Sequence, residues 1–296
     1  MLQAARVNFI NRTFRHWSLL PAVVLFVLLT VYPIVNLARM SVSTIEFAQG
    51  AEHWTFTPLR NLELLRSDDV VIDALRNTLV FVVVTVAVEV VLGLALAILV
   101  AGLRRGKGLV RTVMILPILV PPVAIGSMWK LLFNYDFGFF NQTLASIGIA
   151  PVNWLGSTSI ALWSVILVDI WHWVPFVFLI LFAAVEGLPV DVLEAARVDG
   201  ATRWQLLMRV MVPLLRPAII VAALFRTILA FKVFDEVYLL TSGGPGTSTE
   251  LVSLHLYKVF FDQGQLGYGA LLSLALIAAI AAFLLVSRRF AMAVSA

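Results

Sequence analysis

Glu89, Asp169 and Arg226 stand in the middle of long apolar runs, where an ionised side chain is costly and therefore rarely idle. Such residues can lock helices together as ion pairs, reach into a watery path and hydrogen-bond a polar solute, or relay a proton. Counted inward from run ends near Ala101, Phe182 and Pro217, the three lie roughly 18, 20 and 14 Å deep at about 1.5 Å per helical residue. These similar heights let Arg226 pair with Glu89 or Asp169. All three are expected to face a helix bundle or a cavity, not lipid.

A second kind of chemistry needs aromatic faces next to hydrogen-bonding groups, because a sugar ring presents C–H patches edged with hydroxyls. Three clusters have that mix. Trp129, Lys130 and Asn134 lie at the end of one apolar run, and Asp169, His172, Trp173 and Phe176 share a helical face by their spacing. Phe231, Lys232, Phe234 and Asp235 form the third. Each cluster could instead be an interfacial aromatic belt or ordinary helix packing, and Lys232 with Asp235 could satisfy each other three residues apart. Trp17, Tyr32, Trp54 and Trp163 read as interface anchors.

Other chemistry is excluded. There is no cysteine, no H-E-x-x-H and no tight His/Asp/Glu set, and His16, His53, His172 and His255 are scattered, so no metal site is expected. Gly102–Gly108, GLRRGKG, superficially resembles a phosphate loop but is one residue short and ends in glycine where a magnesium-binding hydroxyl is required.

The elements that must position these residues are transmembrane helices. Hydrophobic residues make up 61% and charged residues 13% of the 296, against about 45–50% and 25% in soluble domains. That excludes a water-soluble enzyme. The net charge of +4 sits at the ends of apolar runs, so it reads as contact with membrane lipid and not with nucleic acid. Runs of about 20 residues, enough to span a hydrocarbon core, fall near 19–38, 79–101, 112–133, 160–182, 217–240 and 270–286. The fold class is an all-α membrane protein of six helices, a single domain over 1–296. Pro21, Pro33, Pro117, Pro121, Pro122 and Pro175 fall in or beside these runs and predict bent helices.

Six crossings put both termini on one side. That side collects 13 Lys and Arg: Arg6, Arg12 and Arg15, then Arg104, Arg105, Lys107 and Arg111, then Arg197, Arg203, Arg209 and Arg216, then Arg288 and Arg289. The other side has seven, so the first is read as cytoplasmic. The first run is longer than the 7–15 residues of a signal core and is read as an uncleaved span.

Between the fourth and fifth runs, residues 187–213 read as two short helices joined by a turn. Pro189 suits a helix start, and Asp191 with Glu194 has capping-box spacing. Asp199-Gly200 supplies a stop, Thr202 with Gln205 a second start, and Pro213 an end. The segment Glu194-Ala195-Ala196-Arg197-Val198-Asp199-Gly200-Ala201, followed by Val212-Pro213-Leu214, resembles the EAA loop of permease subunits of binding-protein-dependent ABC importers. Further agreement with the carbohydrate-uptake branch, of maltose and glycerol-3-phosphate type, comes from Asn77-Thr78-Leu79, Leu92–Ala97, Leu116-Pro117 through Trp129, Trp171–Phe176, Phe231–Tyr238 and Thr241–Pro245. The resemblance covers about residues 18–290.

It implies the type I importer permease fold, with the elbow as a coupling helix seated on a cytoplasmic ATPase. Glu194, Ala195, Ala196, Arg197, Asp199 and Gly200 would make that contact. Trp129, Asn134, Asp169, His172, Trp173, Phe231, Lys232, Phe234 and Asp235 are the candidates for the solute path. The implied partners are a second homologous permease subunit, two ABC ATPases and an extracytoplasmic solute-binding protein, at a bacterial inner membrane. ATP and magnesium would bind the ATPases, leaving this chain without cofactor or catalytic site and moving a carbohydrate or polyol by alternating access. An ion-coupled secondary transporter is the alternative, although no matching inverted halves are visible. A membrane-embedded enzyme would need paired carboxylates near Arg197 and Asp199 that the sequence does not supply.

Overall fold

The computed structural model describes residues 17–48 and 50–295, with side chains from 17 to 285 apart from 47 and 48. Arg6, Arg12, Arg15 and His16, and the side chains of Arg288 and Arg289, lie outside the described residues. Among the described residues five helices are long and apolar enough to cross a membrane: α1 (Trp17–Ser41), α3 (Asp69–Ala101), α7 (Ala161–Glu186), α9 (Arg203–Phe231) and α12 (Leu266–Ser295, apolar to Leu285). A sixth candidate is the pair α4 (Lys107–Leu119) and α5 (Pro122–Leu132), which meet at 93°.

The third run is thus broken where an unbroken helix was expected. Val120 and Pro121 are extended, as a residue ahead of proline prefers, and Pro122 begins the next helix. The fifth run also differs. It starts at Arg203, stops at Phe231 and resumes only as the short α10 (Asp235–Leu240). No proline or glycine marks that break; Ser253 Oγ instead donates to the Val233 carbonyl and holds the chain off the helix axis. Pro213 does not end a helix, because a π turn over Leu206–Met211 lies immediately ahead and the helix runs on through the proline. Helix α3 begins about ten residues before its apolar run, with Asp68 accepting from the Val70 N–H as its N-cap.

By contacts the chain forms two units, Met1–Ser67 with Leu256–Ala278 and Asp68–His255 with Ala279–Ala296. The first holds α1, an antiparallel hairpin of β1 (Ser43–Ala48) and β2 (Ala51–Phe56), α2 (Arg60–Ser67) and the start of α12. The hairpin is an addition to the expected all-helical fold. Asn61 Nδ2 ties it down through the carbonyls of Ser41 and Ser43, and Gly267 lies so close that an added Cβ would be 2.1 Å from the Ser43 oxygen.

The second unit holds every candidate site residue. Helix α7 is its centre: 61% of its span is buried, against at most 33% for the other spans. Val177, Phe178, Leu181 and Val185 of α7 pack with Ala97 and Val100 of α3 and with Leu215 and Ala222 of α9. Gly93 admits the close crossing, since a Cβ there would meet Val177 at 2.8 Å. The remaining elements are α6 (Phe139–Ser146), α8 (Val190–Val198) and α11 (Val252–Tyr257).

Candidate functional site

The elbow is built by local capping. Helix α8 follows Pro189, and no side chain caps it, so Asp191 and Glu194 do not form the expected capping box. With Pro189 as N-cap, Asp191 falls within the first turn, where a carboxylate favours the helix dipole but has no cap to make. The helix ends as its sequence predicts. Gly200 takes φ +83°, and the N–H groups of Asp199, Gly200 and Ala201 return to the carbonyls of Ala195, Arg197 and Ala196. Thr202 and Gln205 then cap α9 reciprocally, at 3.3 and 2.8 Å.

Glu194, Ala195, Arg197, Asp199 and Gly200 are exposed and Ala196 is half-buried. Beside them Val198 is 87% and Trp204 65% exposed. Both are large apolar side chains left bare around a charged turn. Neither is among the residues expected to make the ATPase contact, although a tryptophan in a polar loop is a visible signal.

The three intramembrane charges meet. Arg226 Nε donates to Glu89 Oε2 at 2.5 Å, Nη2 donates to Asp169 Oδ2, and all three side chains are fully buried. The Trp173 ring covers the guanidinium, 5.2 Å from Cζ to centroid. Next to this cluster His172 Nδ1 lies 2.5 Å from Glu236 Oε1, joining α7 to α10. Glu236 was also missed. It falls within the expected fifth run, but its partner is 64 residues away and only the break at 232–234 turns it inward. Glu89 Oε1, Asp169 Oδ1, Arg226 Nη1 and Glu236 Oε2 are buried with no protein partner among the described residues. The group therefore keeps unused hydrogen-bonding capacity in a place where such capacity is costly.

A cavity of about 150 Å³ opens beside it, lined by Pro122 of α5, by His172 and Trp173, and by Lys232, Phe234, Asp235 and Glu236. Thus the two proline- or break-associated corners of the fold wall one hollow. Five of the candidates for the path line it, His172, Trp173, Lys232, Phe234 and Asp235, and Asp169 stands behind Trp173, bonded to the Arg226 that this ring covers. Lys232 and Asp235 are exposed and make no ion pair with each other, contrary to the expected mutual satisfaction. The others lie elsewhere. Trp129 packs among Phe133, Phe140 and Trp171, Asn134 Oδ1 accepts from the N–H groups of Asp136 and Phe137 in a turn, and Phe231 is buried beside Phe283. Among the described residues no group of three or more His, Asp and Glu could hold a metal.

Residues 89–295 match the family described as "Binding-protein-dependent transport system inner membrane component". The trehalose/maltose transport system permease protein MalF of Thermococcus litoralis is 36% identical over 209 residues, 71% of this chain and 70% of that protein. The trehalose transport system permease protein SugA of Mycobacterium tuberculosis is 34% identical over 261 residues, covering 88% and 83%. A bacterial ABC transporter involved in the import of the acidic polysaccharide alginate has the same fold, with a TM-score of 0.85 at 21% identity over 99% of this chain and 100% of that one.

Proposed function

Because the chain belongs to the family of binding-protein-dependent transport system inner membrane components, it is a permease subunit of an ABC importer, and we propose that it carries a carbohydrate or polyol past Trp173 and the Glu89–Asp169–Arg226 cluster. The observation that carries this reading is the hollow itself: an aromatic face, a histidine, a lysine and an aspartate around about 150 Å³, backed by buried groups with free donors and acceptors. Stacking and hydroxyl recognition both need such a surface. The relatives named for trehalose and maltose support the same solute class.

The proposed assembly pairs this chain with a second homologous permease, two ATPases and a solute-binding protein. The elbow lies on the cytoplasmic side with both termini, and the GGP turn at Gly243–Pro245 on the other. ATP and magnesium bind the ATPases. This chain performs no covalent step: closure of the ATPase pair moves the elbow, and α9 transmits that motion to Arg226 and to the break at 232–234. The hollow then faces one side of the membrane or the other.

The test is uptake by the reconstituted complex. Trp173→Ala and Asp235→Asn should each lower uptake at normal membrane abundance, and uptake should need ATP and be blocked by vanadate. Uptake that is driven by an ion gradient without ATP, or that ignores both substitutions, would refute the proposal.

A further inference from the structure

Glu236 is buried in the wall of the hollow, its side chain only 3% exposed. One of its oxygens is in use: Oε1 meets His172 Nδ1 at 2.5 Å and ties the start of α10 to α7. The other, Oε2, is buried without a protein partner among the described residues. A carboxylate oxygen can only accept, and a buried acceptor left unanswered is costly, so Oε2 suits an occupant that brings an O–H to it. Lys232 lines the same wall, is exposed and makes no ion pair among the described residues, so its ammonium has donors to offer a neighbouring solute oxygen.

Charge decides which oxygen-rich solutes fit. Asp235 and Glu236 line the hollow, and Glu89 and Asp169 stand behind Trp173 on Arg226. These four carboxylates face two cations, Lys232 and Arg226, with His172 as the remaining basic group. Even a charged His172 leaves one negative charge in excess. Glu89, Asp169 and Arg226 are fully buried, so water screens that excess little. A carboxylate or phosphate on the solute would have to enter against it, and bringing like charges together under weak screening is strongly unfavourable. The hydroxyls of an uncharged sugar meet no such barrier and are the donors that Glu236 Oε2 lacks.

We propose that the hollow admits uncharged polyhydroxylated solutes and excludes acidic ones, with Glu236 as the acceptor that selects them. The proposal rests on the reading of the hollow as part of the solute path and narrows its solute class. The test uses Lys232 as a reporter in the complete complex in nanodiscs, without the solute-binding protein, so that selection by that protein does not enter. The complex is treated with an amine-acetylating reagent, and acetylation of Lys232 is followed by peptide mass spectrometry at rising concentrations of glucose, maltose or trehalose, and of glucuronate, which differs from glucose by one carboxylate. The three neutral sugars should protect Lys232 and glucuronate should not. Glu236→Gln keeps an accepting oxygen but removes the charge, so glucuronate should now protect, its half-protecting concentration falling at least about tenfold. Glu236→Leu removes the acceptor and should raise the half-protecting concentrations of the neutral sugars about tenfold. Asp235→Asn lies outside the His172 bond, should move glucuronate in the same direction as Glu236→Gln, and keeps the exclusion testable if the Glu236 variants do not assemble. Equal protection by glucuronate and glucose in the wild type would overturn the exclusion while leaving the solute path in place, and half-protecting concentrations unchanged in both Glu236 variants would overturn the role of Glu236. If no neutral sugar protects Lys232 at any concentration, the hollow holds no such solute and the reading beneath the proposal fails.

Discussion

His255 Nε2 lies 2.8 Å from Asp68 Oδ2, which joins α11, the helix after the GGP turn, to the residue that caps α3. Burial opposes charge on this imidazole, but the hydrogen bonds and charges of Glu250 and Asp68 outweigh it, so its pKa lies above the usual 6.5. A raised folded-state pKa gives stability that is full below about pH 6.5 and is lost as the pH rises through the folded value. The thermal midpoint in detergent should therefore fall by about 2–4 °C between pH 6 and pH 9 beyond the background drift. In His255→Gln that extra fall should vanish. Asp68→Asn keeps a capping oxygen but removes the charge, so it should move the transition to lower pH.

Arg226 neutralises two carboxylates at once. Arg226→Met leaves both buried without their cation and should cost about 3–5 kcal/mol, seen as lost membrane abundance. The triple variant Glu89→Gln, Asp169→Asn, Arg226→Met removes every charge together and should recover most of that abundance. Uptake then separates the roles: recovery of abundance without uptake places the cluster in the solute path, whereas recovery of both makes it a structural lock. Abundance that stays low in the triple variant would rule out charge pairing as the reason for the cluster.

Gly126 of α5 sits against Leu239 of α10, and a Cβ on Gly126 would come 2.6 Å from the Leu239 Cβ. Gly126→Ala should destabilise the protein by about 1–3 kcal/mol, the usual cost of overpacking. Leu239→Gly, which removes that Cβ as well as the rest of the side chain, should return part of this in the double variant. Additive losses in that cycle would show that the two positions do not meet.

Gly200 has open space around its Cα, so only its backbone angle constrains it. Gly200→Asn should be tolerated and Gly200→Val should cost about 1–2 kcal/mol. Glu194→Lys disturbs nothing inside the chain, since its side chain is exposed. It should lower solute moved per ATP while abundance stays normal. Coupling equal to wild type in Glu194→Lys would exclude this face as the ATPase contact.

Long apolar runs disclosed a helical membrane protein, and simple depth counting put Glu89, Asp169 and Arg226 within reach of one another, as they are found. The Thr202–Gln205 cap and the Gly200 turn were legible for the same reason: each is decided within four residues. What stayed hidden was decided at long range. Phe231 and Asp235 look like one continuous helix until Ser253 takes the Val233 carbonyl and His172 takes Glu236. Pro121 and Pro122 allow a bend or a break, and the fit of Gly126 against Leu239 accompanies the right angle that is seen. The hairpin from Ser43 to Phe56 does carry a local sign, alternating β-branched and aromatic residues around Gly50, within a segment expected only as a connection between spans.

Thr202, which caps the elbow, and Arg226, which clasps the two carboxylates, belong to one unbroken helix about 36 Å apart. No loop separates the cap from the buried ion pairs, and the π turn at Leu206–Met211 and Pro217 are the places between them where the helix can bend. A tilt of that rod by about 5° sweeps its far end by about 3 Å over such a length, which exceeds the reach of a hydrogen bond. Under the coupling proposed for the elbow, Arg226 would act as a shear pin: a small rotation at the surface would either be resisted by the whole cluster or release it at a stroke.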